Sequence, residues 1–280
     1  MMESRTMPPF LFQRHIALPS DHGSWVFLLS PLMIGLFAGE AWSLPSVYLI
    51  IAALAAFLLR QPATYLVKVY SGRRSRRDLP AAWFWLGVYS ALGALALVGL
   101  LALGFGYLFV LALPGVPVFV WHLALVSRRA ERRQLGVELV GSGVLALAAL
   151  AAYWVGMGEA ALTGWLLFGL AWLQSAASIV YAYLRLEQRQ LDSIPPVATR
   201  LAMARRALSY TGFNLALVIA LSTARIVSPY LPLPYLLQFL ETVWGSLNPA
   251  VGVRPTAIGI RQLIVSSIFT LLFILAWRLA

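Results

Sequence analysis

The sequence predicts an all-α fold, a polytopic transmembrane helical bundle of about nine spans. Three observations predict it. Hydrophobic residues fill 61% of the 280 positions and charged residues only 11%, a balance that leaves a water-soluble globule with large exposed apolar patches. The apolar residues come in runs close to the ~20 residues that cross a hydrocarbon core. The basic residues fall between alternate runs, as orientation in a membrane requires.

The first run, 24–40, has no small-residue cleavage site and precedes many equally apolar runs. It reads as a retained span, not a signal peptide, with residues 1–22 as a short cytoplasmic segment ahead of it. The second and third runs, 44–60 and 82–102, are uniformly apolar. The fourth, 104–127, carries Pro114 and Pro117, which remove helix hydrogen bonds and predict a kink. Its opening "GFGYLF" follows no strand, so a phosphate loop is excluded. The fifth and sixth runs are 136–157 and 160–184, with Gly141 and Gly143 suited to close helix contact. The seventh is 207–227. The eighth, 231–248, is the weakest, interrupted by Pro232, Pro234, Glu241 and Asn248. The ninth is 259–279, and all nine form a single transmembrane domain, 1–280.

With nine spans, every Lys and Arg except Arg225 and Arg278 falls on the side of the N-terminus. That asymmetry predicts the inner membrane, with the N-terminus cytoplasmic and the C-terminus outside. An eight-span version, in which the weak segment fails to cross, moves Arg254 and Arg261 outside and weakens the asymmetry. Runs such as "SGRRSRRDL" (71–79) and "SRRAERRQL" (127–135) orient helices and attract anionic headgroups, so membrane lipids are the expected partners. No soluble module presents these charges to nucleic acid, which is excluded as a partner. The chain has no cysteine, which removes disulfides, thiolate metal ligands and cysteine nucleophiles together. Triads, Walker loops and dinucleotide fingerprints are not visible, so the residues point to no cofactor.

The stretch "SDHGSWVFLLSPLMIGLFAG" (20–39) sets Asp21, His22, Gly23 and Trp25 at the mouth of the first span. Taken one by one, Ser20 or Asp21 caps the helix and Trp25 joins the interfacial aromatic belt. Together they suggest more. A glycine-flanked histidine beside an acid is tunable near neutral pH, and a helix N-terminus attracts anions. His22 with Arg60 and Lys68 is the expected anion or phosphate site, joined from the cytoplasmic half by Tyr183, Arg185 and Asn214. A metal site is not expected. His15 and His122 read as interfacial packing. Glu138 is expected to pair with Arg132 and Arg133, and Glu241, placed in the outer half, with Arg225. Gln174, Ser175 and Ser178 read as interhelical glue.

The connections 61–81 and 185–206 read as long cytoplasmic loops, each with room for a short helix, whereas the outer ones ("GEAWSLP", "MGEAA") are short. This layout resembles the UbiA prenyltransferase superfamily, whose Asp-rich motifs at those two places hold Mg²⁺ against a prenyl diphosphate. Here the first place reads "LLRQPATYLVKVYSGRRSRRD" and the second keeps only Glu187 and Asp192. The metal motifs are missing, so an enzyme of this layout would be a metal-independent transferase. The motif "LPSDHGSWVFLLSPLMIGL", with Pro19, Asp21, His22, Gly23, Trp25 and Pro31, resembles the signature of the YwiC-like family of bacterial membrane proteins. "RPTAIGIRQLIVSSIF" (254–269) is consistent with that family's last span. The resemblance implies a membrane location and little chemistry. Two functions follow from the sequence: a cytoplasm-facing basic cavity that binds or transfers a phosphate-bearing isoprenoid or lipid, or a non-catalytic membrane subunit or transporter whose basic loops contact a partner protein.

Overall fold

A computed structural model describes residues 11–19, 22–130 and 134–279, apart from the side chains of His22 and Gly23. Among the described residues the regular structure is helical throughout. Asp21 lies outside them, as do Ser20 and the Arg132 and Arg133 expected to meet Glu138.

Each expected span has its helix: α1 Val26–Ala38, α2 Leu44–Tyr70, α3 Leu79–Ala102, α4 Gly115–Ser127, α5 Leu135–Met157, α6 Leu162–Gln188, α7 Val197–Thr223, α8 Pro232–Leu247 and α9 Pro255–Arg278. In the fourth span the helix is interrupted at Leu113 and Pro114, where the backbone keeps helical dihedrals. A 3-10 turn at Gly106–Leu108 and a short helix at Phe109–Ala112 precede Pro114, after which α4 starts. Among the described residues, six stretches are long and apolar enough to cross a membrane: 44–70, 76–102, 106–127, 135–157, 162–188 and 255–278. α1 is apolar but has only 13 residues, about 20 Å of helix against a core of about 30 Å.

The two connections read as long loops are largely helix. α2 runs on to Tyr70 and α6 to Gln188, while α7 begins at Val197. Hydropathy marks only the lipid-immersed part of a helix. The backbone continues until something stops it, here Gly72 at φ +68° after α2, while the Pro195–Pro196 pair sets where α7 begins. Arg60 and Lys68 therefore sit on α2 itself, and only 189–196 separates α6 from α7.

The chain forms two compact units. The first contains α2, α3 and α4 with the segment before α1. In it the ring of Tyr48 lies over Gly99, the phenol of Tyr89 donates to the Ala17 carbonyl at 2.9 Å, and His122 Nε2 lies 3.5 Å from Thr64 Oγ1. The second unit contains α1 and α5 to α9. There α1 crosses α5 through Gly35, Gly39 and Gly156, and a methyl group on Gly35 would strike the Ala149 carbonyl. Close backbone approach replaces the hydrophobic effect as the glue between helices in lipid. One face of α9, Ile260, Ile264, Ile268, Leu271 and Leu275, is exposed, and the opposite face buries Ser266, Phe269, Thr270 and Phe273. An exposed face that is aliphatic apart from Ser267, whose hydroxyl donates to the Leu263 carbonyl, opposite a buried face is what lipid contact requires.

The α1–α5 crossing generates a stability prediction. Gly35→Leu should lower stability in detergent by about 2 kcal/mol through overpacking, whereas Gly87→Leu, in open space on α3, should change it little. Thermal unfolding of the two variants checks this; equal stability would contradict the crossing.

Candidate functional site

The residues singled out in the sequence fall into both units. Arg60 and Lys68 are half-buried on α2 in the first unit, with the Arg60 guanidinium 5.7 Å from the Phe57 ring. Trp25 is half-buried in the 3-10 turn His22–Trp25 that leads into α1. The side chain of His22 lies outside the described residues, so its expected meeting with Arg60 and Lys68 has no geometry. Tyr183, Arg185 and Asn214 belong to the second unit, and each already has a protein partner. The Tyr183 hydroxyl donates to Glu138 Oε1 at 2.7 Å. Asn214 is buried and donates to the Leu173 carbonyl at 2.8 Å, tying α7 to α6.

Arg185 is buried, with one guanidinium nitrogen directed at Gln188 Oε1 (2.9 Å), the Gly245 carbonyl (2.7 Å) and the Asn248 carbonyl (2.6 Å). The last carbonyls of a helix lack intrahelical donors and carry the negative end of its dipole. Arg185 therefore caps the C-terminus of α8. Gln188 also donates to the Gly245 carbonyl at 3.2 Å, Arg189 to the Val253 carbonyl at 3.2 Å, and Arg200 to the Leu247 carbonyl. The α8–α9 connection is thus pinned from α6 and α7 by three arginines and a glutamine.

Beside this cap lies a polar centre on α6, α8 and α9. Arg261 grips the Glu241 carboxylate with two parallel bonds, Nε to Oε1 at 2.6 Å and a terminal guanidinium nitrogen to Oε2 at 2.8 Å. The Tyr181 hydroxyl donates to the same carboxylate at 2.9 Å. The guanidinium of Arg261 also lies 3.6 Å from the centre of the Trp244 ring, a stacking that Arg favours. Gln174, Ser178 and Gln238 continue the centre inward. Gln238 Nε2 donates to the Gln174 carbonyl and to Ser178 Oγ, both at 3.0 Å. Gln174 Nε2 reaches Ser178 Oγ at 3.1 Å, and Gln262 Nε2 donates to the Ser178 carbonyl at 2.9 Å. The phenol of Tyr181 occupies the space left by Gly245, where a methyl group would strike its oxygen.

Glu241 thus pairs with Arg261, not with Arg225. The expectation counted depth from the outer end of α8 and ignored the hairpin. Glu241 stands six residues before the end of α8 and Arg261 six residues after the start of α9, so antiparallel helices bring them to one level. The same count, made on the sequence, would have found the pair. Gln238 was missed because it is an isolated polar residue in an apolar stretch. Of the α6 residues expected to join helices, Ser178 does so by accepting from Gln238 of α8, whereas the side chains of Gln174 and Ser175 bond within α6.

A small cavity of about 20 Å³ opens against Ser178, Tyr181, Gln238, Glu241, Thr242, Gln262, Val265 and Ser266. That is room for about one water molecule.

The capping role of Arg185 is testable by stability. Arg185→Met should destabilise the protein by about 1–2 kcal/mol, because it removes the donor to the Asn248 carbonyl and leaves Gly245 and Gln188 with one donor each. Arg185→Lys should recover only part, since its shorter side chain does not carry the ammonium as far as the terminal guanidinium nitrogen that makes all three bonds. Unfolding of the two variants in detergent measures both; an unchanged Arg185→Met would contradict the cap.

No curated protein and no solved structure matches the chain. Residues 18–153 match the family model of YwiC-like protein. This stretch holds Pro19, Trp25 and Pro31 of the signature, and α1 to α4 with most of α5. The polar centre lies beyond its C-terminal end. Over residues 18–153 the chain is similar to the YwiC-like family, and with its long apolar helices it is a membrane protein.

Proposed function

We propose that the protein is a non-catalytic carrier of the inner membrane, N-terminus cytoplasmic and C-terminus outside, that binds a small anionic solute at Arg261. One observation carries this reading: a bidentate Glu241–Arg261 pair between α8 and α9, stacked on Trp244. Charged side chains on membrane helices are costly and mark solute or ion pathways. Here the carboxylate of Glu241 stands in for that of a solute. A carboxylate or phosphate presents the same two acceptor oxygens to the guanidinium fork, so exchange preserves the hydrogen bonds. The Arg261 side chain is 44% exposed and that of Glu241 11%, so the solute can reach Arg261 while Glu241 stays inside.

The alternative, transfer of a phosphate-bearing isoprenoid or lipid, needs space for a diphosphate and its chain. The cavity at the polar centre is about 20 Å³, and the donors of Arg185 and Asn214 are engaged with backbone carbonyls. These observations favour the carrier. His22, Arg60 and Lys68, with the basic run 71–79, are assigned to contacts with anionic lipid headgroups at the cytoplasmic surface.

In detergent solution, phosphate or a short carboxylate should raise the thermal midpoint saturably over chloride at equal ionic strength. Arg261→Lys keeps the charge and loses the fork, and should weaken this stabilisation at least about tenfold in concentration, near 1.4 kcal/mol. No saturable effect of these anions, or one untouched by Arg261→Lys, would refute the carrier reading.

A further inference from the structure

Arg185 is 6% exposed, and its hydrogen bonds go to neutral acceptors: Gln188 Oε1 and the carbonyls of Gly245 and Asn248. Such bonds solvate a guanidinium without cancelling its charge. The end of the α8 dipole offsets about half an elementary charge, so Arg185 remains a buried cation in want of a counter-ion. Among the described residues, one carboxylate and one other guanidinium act on it electrostatically, those of Glu241 and Arg261. Arg189 and Arg200 are half-buried on either side of the largely exposed connection 190–196, near the exposed Glu187 and Asp192, where water and salt screen them.

Two guanidiniums therefore share a single carboxylate. Both lie against one indole: the centre of the Trp244 ring is 3.6 Å from the Arg261 guanidinium and 5.6 Å from that of Arg185. Tyr181, one turn before Arg185 on α6, donates to the shared Glu241 carboxylate at 2.9 Å. The group thus carries one positive charge in excess, which is costly on membrane helices. One bound anion of single charge removes the excess. With Arg261 turned to such a solute, Glu241 keeps the Tyr181 hydroxyl and the field of Arg185, and two carboxylates face two guanidiniums. A doubly charged anion would instead leave the group negative.

We infer that the site selects anions of single charge, a monocarboxylate over a dicarboxylate, and that Arg185 sets this preference through its charge without touching the solute. The inference rests on the carrier reading and narrows its solute class. Arg261, on the exposed side of the pair, holds the solute. Arg185 acts through Glu241: it supplies the counter-charge that Glu241 loses when Arg261 changes partner.

Butyrate and succinate are the probes, since they share a four-carbon chain and one carboxylate and differ in the second. Their Kd values are measured by isothermal titration calorimetry on purified full-length protein in detergent, at constant ionic strength and about pH 8, where both succinate carboxyls are ionised. The unaltered protein should bind butyrate the more tightly. Glu241→Gln adds one unit to the charge of the group and should shift the ratio of the two Kd values toward succinate at least tenfold. Arg185→Met and Arg185→Lys both weaken the cap on α8, but only the first removes the charge. Arg185→Met should raise the butyrate Kd at least tenfold, whereas Arg185→Lys should stay within about threefold of the unaltered protein; a role confined to the cap would not separate the two. If Arg185→Met does not fold, the ratio in Glu241→Gln decides. Succinate bound as tightly as butyrate, a ratio unmoved by Glu241→Gln, or equal butyrate binding by Arg185→Met and Arg185→Lys would overturn the inference and leave the carrier reading standing. Binding of neither anion would remove the carrier reading and the inference with it.

Discussion

In hydrocarbon every buried polar group needs a partner from the protein itself, and that constraint organises this molecule. It makes the chain helical, and it decides where each polar side chain of the second unit goes. Asn214 is turned to the Leu173 carbonyl, Gln262 to the Ser178 carbonyl, and Tyr235 to the Leu170 carbonyl at 2.9 Å. Each bond joins one helix to another at a level set by a backbone carbonyl of α6. α6 is therefore the post against which α7, α8 and α9 are registered. The remaining contacts, such as Gly35 on Ala149, need only small residues and lipid-matched surfaces.

The capped end of α8 and the ion pair beside it depend on that registration. Arg185 fixes the last turn of α8 through Gly245 and Asn248, which places Trp244 and Glu241 one and two turns back along the same helix. Arg261 then meets both at once. A rigid cap next to a half-exposed, exchangeable ion pair is a useful pairing for a carrier. In the carrier reading the frame holds still while Arg261 changes partner.

The helices were legible in the sequence because lipid imposes a length and an apolar composition that no other environment does. Their ends were not. Lys68 and Arg200 lie on helix where composition suggested loops, since solvated helix and solvated loop share polar residues and differ only in what terminates them. Of the candidate site, the charged and tyrosine residues of α6 were visible and their roles were not. Arg185 looks like an anion ligand until its donors are seen on backbone carbonyls. Glu241 and Arg261 were each noted, yet pairing them required the hairpin register. Gln238 gives no sequence signal, because its partners on α6 are set by the fold.

The central claim is that the polar centre exchanges with water and solute and is not a sealed structural knot. The chain contains no cysteine, so a single introduced thiol reports on one place alone. Ser266→Cys puts it in the cavity wall and Ile264→Cys on the exposed apolar face of the same helix. With the protein in lipid vesicles, the account predicts that a small, charged, water-soluble thiol reagent modifies Ser266→Cys faster than Ile264→Cys, and that phosphate slows the first rate only. Equal rates at the two positions, both indifferent to phosphate, would contradict it.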